Sequence, residues 1–245
     1  MESILKTFSI VRKMQAKGFD APFAIVGRER IGKSTLGLHG TEFFGGNINN
    51  VALGKESVGT VLKYCKMGAP FDYDEAIDGA FNRESLSQWN KDLVKAFAII
   101  GAKKLVSFII LPDFFLLDEY FRKYRLAGVF YVYKRGHVAF FDRNGIKKIN
   151  KYGKSNHEIT GASPLYYDTF PEYRGAMLDE YLSRKFAKIE LTIQNLDKKG
   201  TGSKRTVKDK IKAMLKDGKQ PPEIAQTLNT AVHYVYETKA EMPQK

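Results

Sequence analysis

Apolar side chains recur at Ile4, Phe8 and Val11, with Leu5 and Met14 beside them, and Gly18 stands where a helix on that face would end. A run of four apolar residues, Phe23 to Val26, then reads as a buried strand, and Leu36 to Phe44 reads as the helix after it. Glycines and asparagines between Gly45 and Gly59 predict loops with a short strand, and a helix is expected over Val58 to Lys66. Phe71 and Tyr73 alternate with polar residues in a strand that ends on Asp74-Glu75. From Asn82 to Ile100 the positions Leu86, Trp89, Leu93, Val94 and Phe97 recur at helical spacing behind a Ser85-x-x-Gln88 capping box, which makes Trp89 a core residue. Leu105 to Leu111 is continuously apolar, the pattern of a strand buried on both faces, and Pro112 stops it.

The second half continues with a predicted helix over Phe114 to Tyr124 and a hairpin in which Val129–Tyr133 and Val138–Phe141 flank a basic Lys134-Arg135-Gly136-His137 turn. Asn144 to Tyr173 reads as irregular structure with short strands. Gly175 to Asn195 reads as a helix with Leu178, Tyr181, Leu182, Phe186 and Ile189 on one face. The stretch 197–205 is charged, small and apolar-free, a linker by composition. It divides the chain into a domain over 1–196 and a small helical one over 206–245. In the latter, Val207, Ile211, Met214 and Leu215 form a stripe ended by Gly218, Pro221-Pro222 open a short helix, and Asn229 occupies a turn before a third helix. Ala225 is small where two helices cross, and Ile224, Leu228, Val232 and Val235 supply a core. This is helix-turn-helix spacing, with Asn229, Thr230, His233, Tyr234 and Thr238 expected on the outer face.

The chemistry lies between the first strand and its helix. Gly27-Arg28-Glu29-Arg30-Ile31-Gly32-Lys33-Ser34, followed by Thr35, is Gly-x-x-x-x-Gly-Lys-Ser in a strand-loop-helix setting. Such a loop closes backbone N–H groups around phosphate oxygens, Lys33 reaches the β- and γ-phosphates, and the Ser34 hydroxyl is a Mg²⁺ ligand. The plain alternative is a glycine-rich turn before an ordinary helix. Asp74, at the end of a neighbouring strand, is the candidate to hold the Mg²⁺ hydration shell, and Glu75 to orient or deprotonate the attacking water. Asp113, past the buried strand Leu105–Leu111, is a weaker candidate for sensing the γ-phosphate. His137 and His157 lack metal-ligand spacing and read as surface or hydrogen-bonded histidines.

Composition narrows the partners. The 245 residues carry a net charge of +13, which points to acidic partners and to nucleic acid first. From Lys198 onward the charge is +6, so double-stranded DNA is the expected partner of the tail, met around Lys204, Arg205, His233 and Tyr234. The single cysteine, Cys65, excludes a disulfide framework and cysteine-cluster metal sites. No apolar run approaches eighteen residues, and the first residues do not read as a signal peptide, so a cytoplasmic protein without integral membrane contact is expected.

Taken together, the Gly27–Ser34 loop, the Asp74-Glu75-Ala76 end with its Asn82-Arg83 to Asn90-Lys91 helix, the Leu111-Pro112-Asp113-Phe114-Phe115-Leu116-Leu117-Asp118 segment and the Arg122/Arg125 pair resemble P-loop ATPases of viruses and mobile elements. They are similar to the zonula occludens toxin-like and FtsK/HerA-type DNA-pumping ATPases over roughly residues 20 to 190. The resemblance implies an α/β fold with a RecA-like, mainly parallel sheet, a homo-oligomer in a ring, and ATP hydrolysis coupled to moving or packaging DNA. It makes Lys33 and Ser34 the phosphate and Mg²⁺ residues, Asp74 and Glu75 the acidic pair of the second motif, and Arg122 an arginine finger supplied to a neighbour. Two other functions fit the same residues: an ATP-gated DNA-binding regulator or partition factor with low turnover, and a small-molecule kinase, which leaves the basic tail unexplained.

Overall fold

The computed structural model describes residues 1–74, 83–201 and 207–242. It falls into two compact units, Met1–Lys185 and Phe186–Lys245.

The first unit is built on a seven-stranded sheet. Its strands are β1 (Ala21–Val26), β2 (Val51–Leu53), β3 (Pro70–Asp74), β4 (Val106–Leu111), β5 (Gly128–Lys134), β6 (His137–Asp142) and β7 (Tyr166–Thr169), in the spatial order β2-β3-β4-β1-β5-β6-β7. The five strands from β2 to β5 in that order are parallel, and β6 and β7 extend the sheet antiparallel. Every residue of β1 and β4 is buried, the signature of central parallel strands covered on both faces. They pair in register from Ala21 opposite Val106 to Val26 opposite Leu111.

Alternation along the strands sends side chains to two cores. Phe23 and Ile25 point to the side of α1 (Glu2–Ala16) and α2 (Lys33–Phe43), where they pack with Phe8, Leu36, Phe108 and Phe130. Phe8 alone is within ring contact of Phe43, Phe44, Phe108 and Phe130. Ala24 and Val26 face the opposite core, which is closed by α3 (Lys55–Tyr64), α4 (Arg83–Ala102) and α5 (Arg143–Tyr152) through Val61, Leu62, Leu93, Phe97, Ile146 and Ile149. The result is a three-layer α/β sandwich. Trp89 and Leu86 lie outside the residues whose side chains are described, and Val94, expected on the buried face of α4, is exposed.

Three local expectations change. The predicted helix over Phe114 to Tyr124 is instead a 3₁₀ turn, Phe114–Leu116, and a separate π-helical turn, Phe121–Arg125. Leu117 is extended between them, and the Asp118 carboxylate accepts from the Tyr120 N–H, so side-chain caps restart the chain twice where a continuous helix would need backbone pairing. The stretch from Asn144 holds a regular helix, α5, whose N-terminus is capped by Asp142 accepting from the Gly145 N–H at 2.9 Å. Finally, α6 (Leu178–Thr201) runs into the expected linker, so residues 197–201 are helical; 202–206 lie outside the described residues. Lys and Asp in that stretch are compatible with a helix, and low apolarity alone does not end one.

The second unit adds α7 (Val207–Lys216), α8 (Pro221–Thr227) and α9 (Val232–Ala240) around Ile211, Ile224, Ala225 and Val235. Asn229 takes φ 47° in the turn between α8 and α9, and the Thr230 N–H closes onto the Ala225 carbonyl. Val232, expected in this core, is exposed, and Thr238, expected outside, is buried with its hydroxyl donating to the Tyr234 carbonyl. The outer face of α9 carries His233 and Tyr236 instead, because the helix is rotated so that Val235 and Thr238, three apart, point inward.

Candidate functional site

In an open parallel sheet, ligands gather at the carboxyl ends of the strands where the order of connections reverses. Here β1 leads through α2 to β2 on one side, while β4 leads across β1 to β5 on the other. The loop Gly27–Gly32 leaves β1 at that reversal, and Asp74 ends β3 one strand beyond β4.

The loop has a shape that only part of its sequence tolerates. Gly27 has φ 143°, and a Cβ there would stand 2.2 Å from the Val132 carbonyl oxygen of β5. Gly32 is the left-handed N-cap of α2 at φ 98° and supplies no side-chain cap, and no acid lies in the first turn. The first N–H groups of that helix therefore have neither an intrahelical partner nor a capping oxygen, and they sit at the positive end of the helix dipole. Arg28, Glu29 and Arg30 are exposed, Arg30 at φ 60°, while Ile31, Ser34 and Thr35 are half-buried. Lys33 folds back over the loop, donating to the carbonyls of Gly27 (2.8 Å) and Arg28 (2.6 Å). Burial pushes its ammonium below the usual lysine range, against the pull of Asp74 and Glu29.

Asp74 is 2% exposed and faces the same space. Its Oδ2 accepts a short hydrogen bond from the Tyr181 hydroxyl, and Lys185 Nζ lies 3.5 Å from the same oxygen and 3.1 Å from the Tyr181 hydroxyl oxygen. The Ser34 side chain acts on the same phenol. Burial, reinforced by the Asp74 charge, raises the Tyr181 pKa, so the hydroxyl keeps its proton and donates it. The structure thus brings Lys33, Ser34 and Asp74 together and adds Tyr181 and Lys185 from α6. In sequence Tyr181 shows only as part of an apolar helical face; the available signal was a hydroxyl on that face with a lysine four residues on. Glu75 lies outside the described residues.

A hydroxyl and a carboxylate are hard oxygen donors suited to Mg²⁺, which takes few protein ligands and completes its shell with water and phosphate. Ser34 and Asp74 fit that group, and the uncapped helix start and Lys33 fit a phosphate chain. Among the described residues no three His, Cys, Asp or Glu side chains converge on a metal position.

Two residues before Asp74, on the same face of β3, Asp72 is buried against α2, and a Cβ on Gly37 would come within 2.6 Å of its Oδ2. Its Oδ1 has no hydrogen-bond partner. Burial first, and the Asp74 charge second, raise its pKa well above the carboxylate range. Asp113 is committed elsewhere: one oxygen caps the Phe115 N–H at 2.8 Å and the other meets His157 Nδ1 at 2.9 Å, which leaves it poorly placed as a phosphate sensor.

Arg122 departs most from expectation. Rather than standing on an exposed helix face with Asp118 and Arg125, it is 5% exposed, its guanidinium lies over the rings of Phe115 (4.9 Å) and Phe114 (5.6 Å), and its Nε and Nη1 have no hydrogen-bond partner. Arg125 pairs with Asp20 at 2.9 Å. The π-helical turn shifts side-chain positions off the spacing of a regular helix and turns Arg122 inward, so it is not presented to a neighbouring subunit as an arginine finger.

In the second unit, His233 and Tyr236 are exposed on α9 and Tyr234 is partly buried against the core. Lys208 is paired with Glu241, and Lys204 and Arg205 lie outside the described residues. No helix among the described residues is long and apolar enough to cross a membrane. No protein-family model, curated protein or solved structure was found to match this chain.

Proposed function

We propose that the chain is a Mg²⁺-dependent ATPase of RecA-like P-loop type that acts on DNA, as a translocation, packaging or replication motor of a virus or plasmid. The observation that carries the reading is the convergence of Lys33 and Ser34, at an uncapped helix start, with buried Asp74 at the next-but-one strand end. A mostly parallel sheet suits Rossmann and RecA-like arrangements alike. The loop after β1 is Gly-x-x-x-x-Gly-Lys-Ser and not Gly-x-Gly-x-x-Gly, which favours the P-loop. In this reading the backbone N–H groups of the loop and the start of α2 bind the phosphates, and Lys33 exchanges the Gly27 and Arg28 carbonyls for phosphate oxygens. Ser34 and Asp74 would hold Mg²⁺, which would neutralise phosphate charge. Glu75 orients the attacking water. The α8-turn-α9 pair and the charge of the tail support binding to double-stranded DNA.

The contact of Tyr181 with Asp74 favours a second reading, an ATP-gated DNA-binding regulator with low turnover, since it engages the carboxylate that hydrolysis needs. ATP turnover with and without double-stranded DNA separates the two: strong stimulation indicates a motor, and slow, DNA-independent turnover a switch. Lys33→Ala should lower nucleotide affinity and abolish turnover, because the cation facing the developing phosphate charge is worth several kcal/mol, on the order of a 10²-fold or larger rate loss. Unchanged binding and turnover would refute the phosphate site.

A further inference from the structure

We propose that Tyr181 and Lys185 form a plug in the cation position of the nucleotide site, and that binding of a Mg²⁺-nucleotide requires this pair to leave Asp74. The inference rests on the phosphate-site reading and deepens it. Three observations carry it. The Tyr181 hydroxyl bonds to Asp74, so a proton donor stands on a carboxylate oxygen expected to hold the metal. The Lys185 ammonium, 3.5 Å from Asp74 Oδ2, adds a positive charge on the same oxygen, so the pair supplies the charge and the hydrogen bond that a hydrated divalent cation would otherwise supply. Both residues belong to α6, which is also tied to the segment before β2 by Arg184, donating to Asn49 Oδ1 at 3.0 Å and to the Ile48 carbonyl at 3.4 Å.

The consequence is a competition with a defined sign. A carboxylate cannot give the same lone pairs to a phenol and to Mg²⁺, so the closed arrangement lowers apparent affinity for the metal-bound nucleotide in proportion to its population. Affinity for nucleotide without metal depends on the loop, the α2 start and Lys33, and does not involve Asp74. A purely structural role for Tyr181, holding Asp74 in its ligating position, predicts the opposite sign, since its loss would weaken metal binding.

The test measures equilibrium binding of fluorescent ADP to the full chain, once with excess Mg²⁺ and once in EDTA. Tyr181→Phe, which keeps the ring and removes the hydroxyl, should bind Mg·ADP about tenfold more tightly, as expected for losing one hydrogen bond to a charged group. Its affinity in EDTA should stay within about twofold of the parent. Lys185→Met, a half-buried position that leaves the phenol in place, should shift Mg·ADP affinity in the same direction and so gives the comparison independently of any packing defect at Tyr181. Unchanged or weaker Mg·ADP binding in both variants overturns the plug. Lys33→Ala distinguishes the two levels: if it binds ADP in EDTA as the parent does, the phosphate site itself is wrong, whereas weakened binding there with no gain in Tyr181→Phe removes the plug alone.

Discussion

Asp72 and Asp74 show how two identical, equally buried side chains on one face of a strand acquire different chemistry from what they touch. Asp74 meets the Tyr181 hydroxyl and the Lys185 ammonium on one of its oxygens. Asp72 lies against α2 with one oxygen unpartnered, and burial raises its pKa well above the usual carboxylate range. Position at the strand end singled out Asp74 in the sequence, but the surroundings of the two acids were not legible there: α2 covers Asp72, and Tyr181 and Lys185 of α6 meet Asp74. The sign of the pH effect follows. A group whose folded pKa is raised binds more protons folded than unfolded, so it destabilises progressively as pH rises from near 4 toward its folded pKa. Asp72→Asn removes that penalty while keeping the volume. Melting curves from pH 4 to 8 should show the variant gaining on the parent as pH rises, by a few degrees for each kcal/mol in a chain of this size, about 2–4 °C. Its ATP turnover should stay within about threefold of the parent, whereas Asp74→Asn should lose Mg²⁺-dependent turnover. A turnover loss confined to Asp72→Asn would transfer the metal role to that residue.

At the scale of elements, what was legible depended on whether local pattern or tertiary contact decides the conformation. β1 and β4 are continuous apolar runs, and the hairpin of β5 and β6 announces itself by Gly136 between alternating strands, so these were readable. The Phe114–Tyr124 stretch has apolar residues at helical spacing, yet Asp113 caps its start and Asp118 caps it again within, which leaves two short turns. In α5 the cue was present in the Asp142 cap with Ile146 and Ile149 on one face, but the surrounding lysines, glycine and asparagines resemble a loop by composition. The loop of the site was legible as a motif, while the reason for its first glycine was not, because that reason is a contact with β5, a strand about a hundred residues away. Gly27→Ala therefore tests the element directly. A methyl group 2.2 Å from the Val132 carbonyl, on a residue at φ 143°, forces the loop away from β5. We expect ~1–3 kcal/mol of lost stability in denaturant unfolding together with weaker nucleotide binding, since the N–H groups that would hold phosphate move with the loop. Retention of full stability would mean that the loop has room the structure does not show.

For the molecule as a whole, the α/β class with a mainly parallel sheet was visible in the sequence, and the limits of its compact units were not. A charged, apolar-free stretch looks like a linker, but 197–201 continue α6, and compactness divides the chain at Lys185 instead. Each unit nonetheless has its own core: the first around its seven-stranded sheet, the second around Ile211, Ile224, Ala225 and Val235. Independent cores predict independent folding. Removing residues 202–245 should leave a protein that melts cooperatively and still binds nucleotide, because the loop, Asp74, Tyr181 and Lys185 all belong to the first unit. DNA binding should change in a specific way. Neutralising a DNA phosphate releases counterions, so each phosphate that the shortened protein no longer neutralises flattens the dependence of log affinity on log salt by about 0.9 for B-DNA. Residues 202–245 carry nine Lys and Arg against five Asp and Glu, +4 of the total +13, a denser positive charge than in the rest of the chain. Titrations of a duplex at several salt concentrations should therefore give the truncated protein both weaker affinity and a shallower slope. Weaker affinity with an unaltered slope would assign the tail to base or protein recognition, and unaltered binding altogether would place the DNA surface on the first unit, whose residual positive charge is then the one to map.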